Sequence, residues 1–590
     1  MAVRTASTLR PTVAALVERP TAEVLILGGG INGIATFREL ALQGVDVVLV
    51  ERGDYASAAS AASSHMIHGG VRYLENGEFR LVNEAVHERN RLLRNAPHYV
   101  RPLQTTIPIF TTFSGLLAAP LRFLTHTRRS TAERGALLIK IGLVIYDSFS
   151  RDGGSAPRHR FLGRKKSLAA MPQLNPALKY TASYYDASMH NPERLALDVL
   201  LDGVGTGHGR AANYLEATGI AGTGTSGSEV ELRDAVSGHE FTMSAKVVVN
   251  TTGPWTDLTN ETLGVSTRYM GGTKGSHIVL DHPELLEATR GRELFFENDD
   301  GRIVLIYPLE GMVMVGTTDI DADPREPVVC TQEEVDYFFE LVHHVLPGIV
   351  LDRSQIVYRF SGIRPLPRHD DEAPGFVSRD YRVEPAELPG GGLLLSLVGG
   401  KWTTFRALGA HMADLALARL GAGRTVSTEA LAIGGGKDYP RTAEHRAAWI
   451  VNHAAKVGAE RAERLLDRYG TSAAAIIDSF TPEDAPLTHL NGYSTDEVRF
   501  LVGREQVEHL ADLVYRRTSL AFVGALSAPL LEELAALAGG VLGWSVARRA
   551  EEIATTTADL AQRHQVALGT APSARSSTDE GAEGAERASR

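Results

Sequence analysis

The chain has 590 residues, 43% of them hydrophobic and 22% charged, which is enough to bury a large core and form more than one domain. Sixty basic against 71 acidic residues leave a net charge of −11, so nothing in the overall charge points to nucleic acid. The single cysteine, Cys330, excludes an intramolecular disulfide framework and a cysteine-ligated zinc site, and it suits the cytosol.

Residues 1–20, MAVRTASTLRPTVAALVERP, lack the continuous apolar core of a secretion signal and read as a short extension. Glu23-Val24-Leu25-Ile26-Leu27 then forms a short buried strand that runs into Gly28-Gly29-Gly30-Ile31-Asn32-Gly33. This is G-x-G-x-x-G, with Gly28 for the turn, Gly30 for close approach to a pyrophosphate and Gly33 for helix-on-strand packing. A helix is expected from about Ile31 to Gln43, stopped by Gly44 in a left-handed cap. The next strand, Val45 to Val50, ends at Glu51, which is placed to accept hydrogen bonds from a ribose. Anionic phosphates would sit at the N-terminus of that helix. The unit binds a dinucleotide and leaves NAD and FAD both open.

Next comes SSHMIHGGVRYLE, residues 63–75, with two histidines, an arginine and a tyrosine; taken alone it reads as an ordinary polar loop. FSGLLAAPLRFLTHTRRS combines apolar residues with Arg122, Arg128 and Arg129, a composition able to lie on an anionic membrane surface. GALLIKIGLVIYDSF, from Gly135 to Phe149 and interrupted by Lys140, reads as a core helix. No window of about 18 uncharged apolar residues exists, so no transmembrane helix is expected.

Two later strands also stop at glycines. Val247 to Val249 ends at Thr251, Thr252, Gly253 and Pro254; Leu393 to Val398 ends at Gly399 and Gly400, before a helix that Thr403 or Thr404 can cap. Three such junctions imply one sheet assembled from distant segments, with a large ligand across the carboxyl ends of its strands. Between Trp255 and Gly399, alternating segments such as KGSHIVL and QIVYRFSGIRPLPR predict an antiparallel sheet facing the substrate. From Val426 onward the chain becomes an Ala-, Leu-, Arg- and Glu-rich helical bundle. The last residues, 570–590, carry almost no large apolar side chains and read as a disordered tail.

Taken in order, ILGGGINGIATFRELALQGVDVVLVERGD, SSHMIHGGVRYLENGEFRLVNEA, NTTGPWTD, KGSHIV, VGTTDID, SGIRPL, SRDY and LVGGKWTTFR resemble the motifs of the FAD-dependent, quinone-linked glycerol-3-phosphate dehydrogenases. The resemblance runs from about residue 22 to residue 410 and more loosely through the helical C-terminus. It implies an α/β fold: a Rossmann-like FAD-binding domain, an antiparallel β-sheet substrate domain and a C-terminal α-helical domain. The expected boundaries are 21–108 with 182–265 and 355–415 for FAD, 109–181 with 266–354 for the substrate or cap domain, and 425–569 for the helices.

The implied reaction is oxidation of sn-glycerol 3-phosphate to dihydroxyacetone phosphate by hydride transfer to FAD, with electrons passed to a membrane quinone. Such a reaction needs cations for a phosphate dianion and an acceptor for the alcohol proton. By position in the family motifs, Arg364 and Arg379 bind the phosphate, and Arg72 and Tyr73 border the substrate. His68 is the proton acceptor, and Lys401 is a cation beside the flavin. The cofactor would be held by Gly28, Gly30, Asn32, Gly33 and Glu51 at the nucleotide end. At the flavin end the resemblance adds Ser63, Ser64, Gly69, Gly253, Gly362, Gly400, Lys401, Thr403 and Thr404. Thr318 and Asp319 match a family element near the site, with no role assigned.

One departure stands out: the family's SSKLIHGG or SSRLIHGG has His65 at the basic position here, which predicts a pH-dependent cation near the flavin. The resemblance further implies a homo-oligomeric, dimeric protein lying peripherally on the cytoplasmic face of the cell membrane, with no nucleic-acid partner. Three rivals share parts of the pattern: an oxidase using oxygen, a related FAD enzyme acting on an amino or hydroxy acid, and a non-catalytic flavin-binding or membrane-scaffold protein.

Overall fold

A computed structural model describes residues 9–70, 79–110, 139–140, 142–144, 146–147, 158–224, 227–297, 303–368, 380–389 and 391–568. Arg72, Tyr73, Arg379, the arginine-rich insert near residues 120–134 and the tail 570–590 lie outside them.

Two sheets organise the described chain. In the first, the order is Arg382–Glu387, Leu393–Val398, Glu240–Asn250, Thr21–Leu27, Val47–Val50 and Gly209–Ala212. Of these six all but Arg382–Glu387 run parallel, and the hairpin Leu215–Gly224/Gly227–Asp234 joins the same sheet antiparallel to Glu240–Asn250. Its central strands are near-continuous Val, Ile and Leu runs, as expected of strands covered on both faces. Helices Ile31–Leu42, Pro192–Val204 and Phe405–Leu420 cover one face. Helix Pro11–Glu18 and the hairpin Leu215–Gly224/Gly227–Asp234 cover the other.

The three glycine junctions therefore meet. Thr21–Leu27, Glu240–Asn250 and Leu393–Val398 are adjacent, with Leu25 level with Val248 and Val248 level with Leu394. The glycines that follow them turn with positive φ: Gly28 at +107°, Gly253 at +62°, Gly399 at +90° and Gly400 at +107°. That region is costly for any side chain. Gly44 ends the first helix at φ +80°, one residue past Gln43.

The second sheet holds the long antiparallel pair Met270–Leu280 and Ile356–Pro367, then Met312–Gly316, Ile303–Leu309, Glu293–Glu297, Val100–Ile109, Tyr180–Met189 and the short strand Met66–Ile67. This corrects the expected boundaries. Val100–Ile109, Tyr180–Met189 and Ile356–Pro367, assigned above wholly or largely to the FAD-binding domain, pair in the second sheet. The sheet is also mixed, because Glu293–Glu297 joins Val100–Ile109 in parallel, Leu294 opposite Thr106. Alternation within a strand reports which face it buries, not which strand it pairs with.

The described part of the Gly135–Phe149 stretch is helical, with Leu143 and Tyr146 buried in the core. The C-terminal bundle, Ala443–Val457 to Val546–Arg563, has its own apolar core. Ahead of its first long helix, residues 422–442, which include the short 3-10 turn Gly434–Gly436, form a strap tied to the first domain by Val426 N–H on Gln43 Oε1 and Ile433 N–H on Asn95 O, both 2.9 Å. The bundle is docked by buried ion pairs, including a bidentate Arg194–Glu505 pair at 2.9 Å for both bonds. Among the described residues no helix is long and apolar enough to cross a membrane.

A Cβ placed on Gly33 falls 2.1 Å from Gly28 O and 2.5 Å from Thr251 Oγ1. Gly33→Ala is therefore expected to lower stability by about 1–3 kcal/mol, as overpacking does. Thermal unfolding followed by far-UV dichroism measures it; an unchanged midpoint would mean that the helix slides to make room.

Candidate active site

The carboxyl ends of the first sheet open into a cavity of about 1040 Å³, lined by Gly28, Gly30, Asn32, Glu51, Thr252 and Gly253 among others. The helix Ile31–Leu42 starts there with Gly30 at its N-cap, no side-chain cap and no acidic residue in its first turn. Its dipole is therefore available to an anion. Glu51 stands over the turn, its two oxygens accepting the N–H groups of Gly29 at 2.7 Å and Gly53 at 2.8 Å. Burial pushes its pKa above the usual carboxylate range despite those two bonds. Arg52 lies over the Trp255 ring at 4.5 Å and closes the outer edge.

These residues fit a dinucleotide. A Cβ on Gly28 would lie 2.8 Å from the Thr251 carbonyl, so that turn has room only for backbone, and one on Gly400, at φ +107°, would lie 2.5 Å from Asn32 Nδ2. Asn32 Oδ1 is buried without a hydrogen-bond partner among the described residues, as expected of an atom that faces a polar ligand.

From this cavity residues 60–69 pass between the two sheets and bond to both. Ser60 Oγ accepts Ile31 N–H at 3.0 Å, and Ser60 O accepts Trp402 Nε1–H at 2.9 Å. Ala62 packs against Gly362, where a Cβ would approach to 2.4 Å. Ser64 Oγ lies 2.9 Å from His277 Nε2, and Ser64 O accepts the Tyr307 hydroxyl at 2.7 Å. Ser63 is held locally, its Oγ accepting His65 N–H at 3.3 Å. The backbone around His68 is fixed on both sides. Its carbonyl accepts Thr403 Oγ1–H at 3.3 Å, and the next amide, Gly69 N–H, donates to Asp186 Oδ1 at 3.0 Å. Asp186 is buried and also takes Arg89 Nη1–H at 2.8 Å and the Tyr146 hydroxyl at 2.6 Å. Lys401, two residues before Thr403, is near enough to Glu84 to act on it electrostatically. Thr404 occupies the N-cap of Phe405–Leu420 but makes no side-chain cap bond, and Thr403 faces His68 instead, so the expected threonine cap is not made.

On the second sheet Arg364 sits opposite Thr273. Its Nη1–H donates to Asp319 Oδ1 at 2.8 Å, and Nη2–H to Thr317 Oγ1 at 2.8 Å and Thr318 O at 3.0 Å. Thr318 and Asp319 thus acquire a role as the cradle of that guanidinium. Behind them Glu334 accepts the hydroxyls of Thr318 at 2.6 Å and Ser276 at 2.7 Å, and Lys274 Nζ–H at 2.8 Å. Burial raises the Glu334 pKa, but these bonds outweigh it and hold the pKa below the ordinary value. Gly275 leaves the space Arg364 occupies: a Cβ there would lie 2.1 Å from Nη2.

Sequence reasoning missed His277 as a site residue, although KGSH was among the motifs. It is buried, stacked on Phe360 at 4.8 Å and 9°, and kept neutral first by burial and then by the nearby charge of Arg364. Glu334 was also missed; its capping box with Thr331 is legible in TQEE, but its bond to Thr318 is not. His65 corrects an expectation. It is 5% exposed and stacked on Phe522 at 5.1 Å, and burial lowers its pKa to about 3. It is neutral at physiological pH rather than a titrating cation. No cluster of His, Cys, Asp and Glu able to hold a metal occurs among the described residues.

A dinucleotide-binding parallel sheet bonded through residues 60–69 to a sheet carrying a cradled arginine defines the class: a flavoprotein oxidoreductase of two sheets with a helical appendage. Residues 23–415 match the family model "FAD dependent oxidoreductase", and residues 426–549 match "C-terminal domain of alpha-glycerophosphate oxidase". A glycerol-3-phosphate dehydrogenase of Synechocystis is 32% identical over 86% of this chain and 90% of its own length. A D-erythritol 1-phosphate dehydrogenase of Brucella abortus is 31% identical over 85% of this chain and 95% of its own. The glycerol-3-phosphate dehydrogenase of Bacillus halodurans, solved with FAD, shares the fold with a TM-score of 0.70 at 22% identity, over 93% of this chain and 96% of that one. The chain belongs to the FAD-dependent oxidoreductase family, in its glycerol-3-phosphate dehydrogenase group. Its cofactor is FAD.

Gly275→Ala is expected to displace the Arg364 guanidinium, raising KM for the substrate while flavin stays bound; steady-state kinetics with a flavin count checks both. His65 titrates near its ordinary value of about 6.5 when unfolded and near 3 when folded. Between those values the unfolded chain binds the extra proton. The stability involved is fully present above about 6.5 and is lost as pH falls toward 3. Between about pH 6.5 and about pH 5 the wild type should lose about 2 kcal/mol more than His65→Leu. Equal acid sensitivity in denaturant titrations would mean that His65 is solvated.

Proposed function

We propose that this protein oxidises carbon 2 of sn-glycerol 3-phosphate, giving dihydroxyacetone phosphate, and passes the electrons to a membrane quinone. Arg364 in its Asp319–Thr317–Thr318 cradle carries the reading: a preoriented planar fork, next in the chain to the groove-lining Ile363 and Pro365, suits a phosphate ester better than a neutral alcohol. The group names of the relatives support it, and Arg72, Tyr73 and Arg379 complete the anion site by their motif positions.

Bound FAD supplies the acceptor for the hydride leaving carbon 2. The chain's own residues do the rest. The backbone of Gly28, Gly30 and Gly33 with Asn32 would hold the pyrophosphate, and Glu51, kept in place by Gly29 N–H and Gly53 N–H, would accept ribose hydroxyls on its remaining lone pairs. Ser63, Ser64, Gly69, Gly253, Gly362 and Gly400 form the floor and rim of the ring site by backbone and short side chains, and Thr403 and Thr404 set the turn beside them. The unprotonated ring nitrogen of His68 takes the alcohol proton as the carbon–hydrogen bond breaks. Lys401 places a fixed positive charge beside the ring, favouring the charge that develops there. In this reading the protein works as a dimer, peripheral on the cytoplasmic membrane face where a quinone is reached.

The 31% identity to an erythritol phosphate enzyme favours a second reading, a four-carbon polyol phosphate in the same cradle. Anaerobic mixing decides. Glycerol 3-phosphate is expected to bleach the flavin, glycerol to leave it coloured, and D-erythritol 1-phosphate to act more slowly. Bleaching by glycerol as well, or by neither ester, would sink the assignment, and faster bleaching by the erythritol ester would move it to the second reading. Turnover with a quinone analogue should exceed turnover with oxygen; the reverse would make the protein an oxidase. Arg364→Ala should raise KM roughly 10- to 100-fold with flavin retained.

A further inference from the structure

The cavity has a wall that no domain assignment accounts for. Beside Glu51 and Gly253 it is lined by His509, Arg516, Thr518, Phe522 and Thr556, all from the C-terminal bundle. The bundle reaches the glycine turn through two consecutive residues that follow the ribose-facing acid.

The first is Asp54, whose carboxylate is fully buried. It accepts Arg517 Nη1–H at 2.6 Å and Nη2–H at 2.9 Å, Arg516 Nε–H, and Asn213 Nδ2–H at 2.9 Å. Arg517 is itself 1% exposed. A carboxylate so enclosed is tolerable only with its cations in place. The second is Tyr55, whose hydroxyl donates to Gln506 Oε1 at 2.9 Å. Its ring lies where a Cβ on Gly29 would come within 2.9 Å, so the ring sits on the glycine turn. Just before them, Glu51 binds Gly29 N–H and Gly53 N–H; just after, Ala56 N–H donates to Gly29 O at 2.9 Å. Residues 51–56 are thus bonded to the pyrophosphate turn on one side and to residues 506–517 on the other.

We infer that residues 506–517 of the C-terminal bundle are a positioning element of the cofactor site, holding Asp54 and Tyr55, and through them Glu51 and Gly29, in the geometry that grips the FAD nucleotide. The inference rests on the groove being the FAD site. Undocking the bundle loosens the ribose loop, and by reciprocity bound FAD strengthens the docking. Arg517 and Gln506 act through neighbours rather than on the cofactor, so they are not catalytic.

The test follows the return of flavin fluorescence as holoenzyme is diluted. Arg517→Met is expected to release FAD at least tenfold faster than wild type, with Arg517→Lys in between. Tyr55→Phe, which removes only the bond to Gln506, should release it about threefold faster, and it carries the test if Arg517→Met does not fold. Leu534→Ala opens a cavity in the fully buried bundle core far in sequence from this loop; it should lower the thermal midpoint without speeding release. Unchanged release in both Arg517→Met and Tyr55→Phe would overturn the inference. So would Leu534→Ala speeding release as much as Arg517→Met, because the effect would then be general destabilisation. A wild-type preparation without flavin would instead overturn the cofactor assignment on which the inference rests.

Discussion

The site depends on one passage of chain, residues 60–69, being bonded to both sheets at once. Ser60 receives Ile31 N–H from the nucleotide-binding helix and Trp402 Nε1–H from beyond Leu393–Val398, while four residues later Ser64 faces His277 and Tyr307 of the other sheet. Small side chains are required because the strands approach closely: Ala62 nearly touches the Cα of Gly362. The distance between the pyrophosphate turn and Arg364 is therefore set by a short, fully bonded segment rather than by two domains leaning together. Positioning of this kind is what lets a bound substrate meet a cofactor without a large entropic penalty at the moment of reaction.

The substrate end is preorganised in a different way. Arg364 spends one edge of its fork on Asp319 and shares the other with Thr317 and Thr318 O. This fixes the guanidinium, but Asp319 also compensates much of its charge. A dianion beside a nearly neutral pair gains little Coulomb energy, so a phosphate bound there needs further cations. The chain's net charge of −11 makes that local concentration of positive charge more necessary, since the overall field opposes an anionic ligand.

What could be read from the sequence follows from the range of the interactions involved. The turn at Gly28, the helix cap at Gly44 and the three glycine junctions are local conformational requirements, and each left its residue in place. The sheet membership of Val100–Ile109 and Ile356–Pro367 was not legible, because a strand's alternation is the same whichever partner it finds. His65 shows the same limit for charge. Its position in the motif suggested a cation beside the flavin, but Phe522, more than four hundred residues away, buries it and keeps it neutral. The bonds of Glu334 to Thr318 and of Asp54 to Arg517 likewise join residues whose separation hides them.

The two ends of the site also differ in what they are made of, and this decides how each tolerates change. At the nucleotide end the ligand is met by backbone and by the absence of side-chain atoms: Gly28 and Gly33 have main-chain neighbours within 3 Å of any added Cβ. No side-chain rearrangement can relieve such a clash, so alteration there costs fold and cofactor together. On the second sheet the grip on Arg364 is made by side chains carried on the paired strands Met270–Leu280 and Ile356–Pro367, with Gly275 leaving the room the guanidinium occupies. Substitution around Arg364 can reshape the pocket while the register of these two strands stays intact. A cofactor grip built from backbone and a substrate grip built from side chains thus allow specificity among polyol phosphates to change without loss of the flavin.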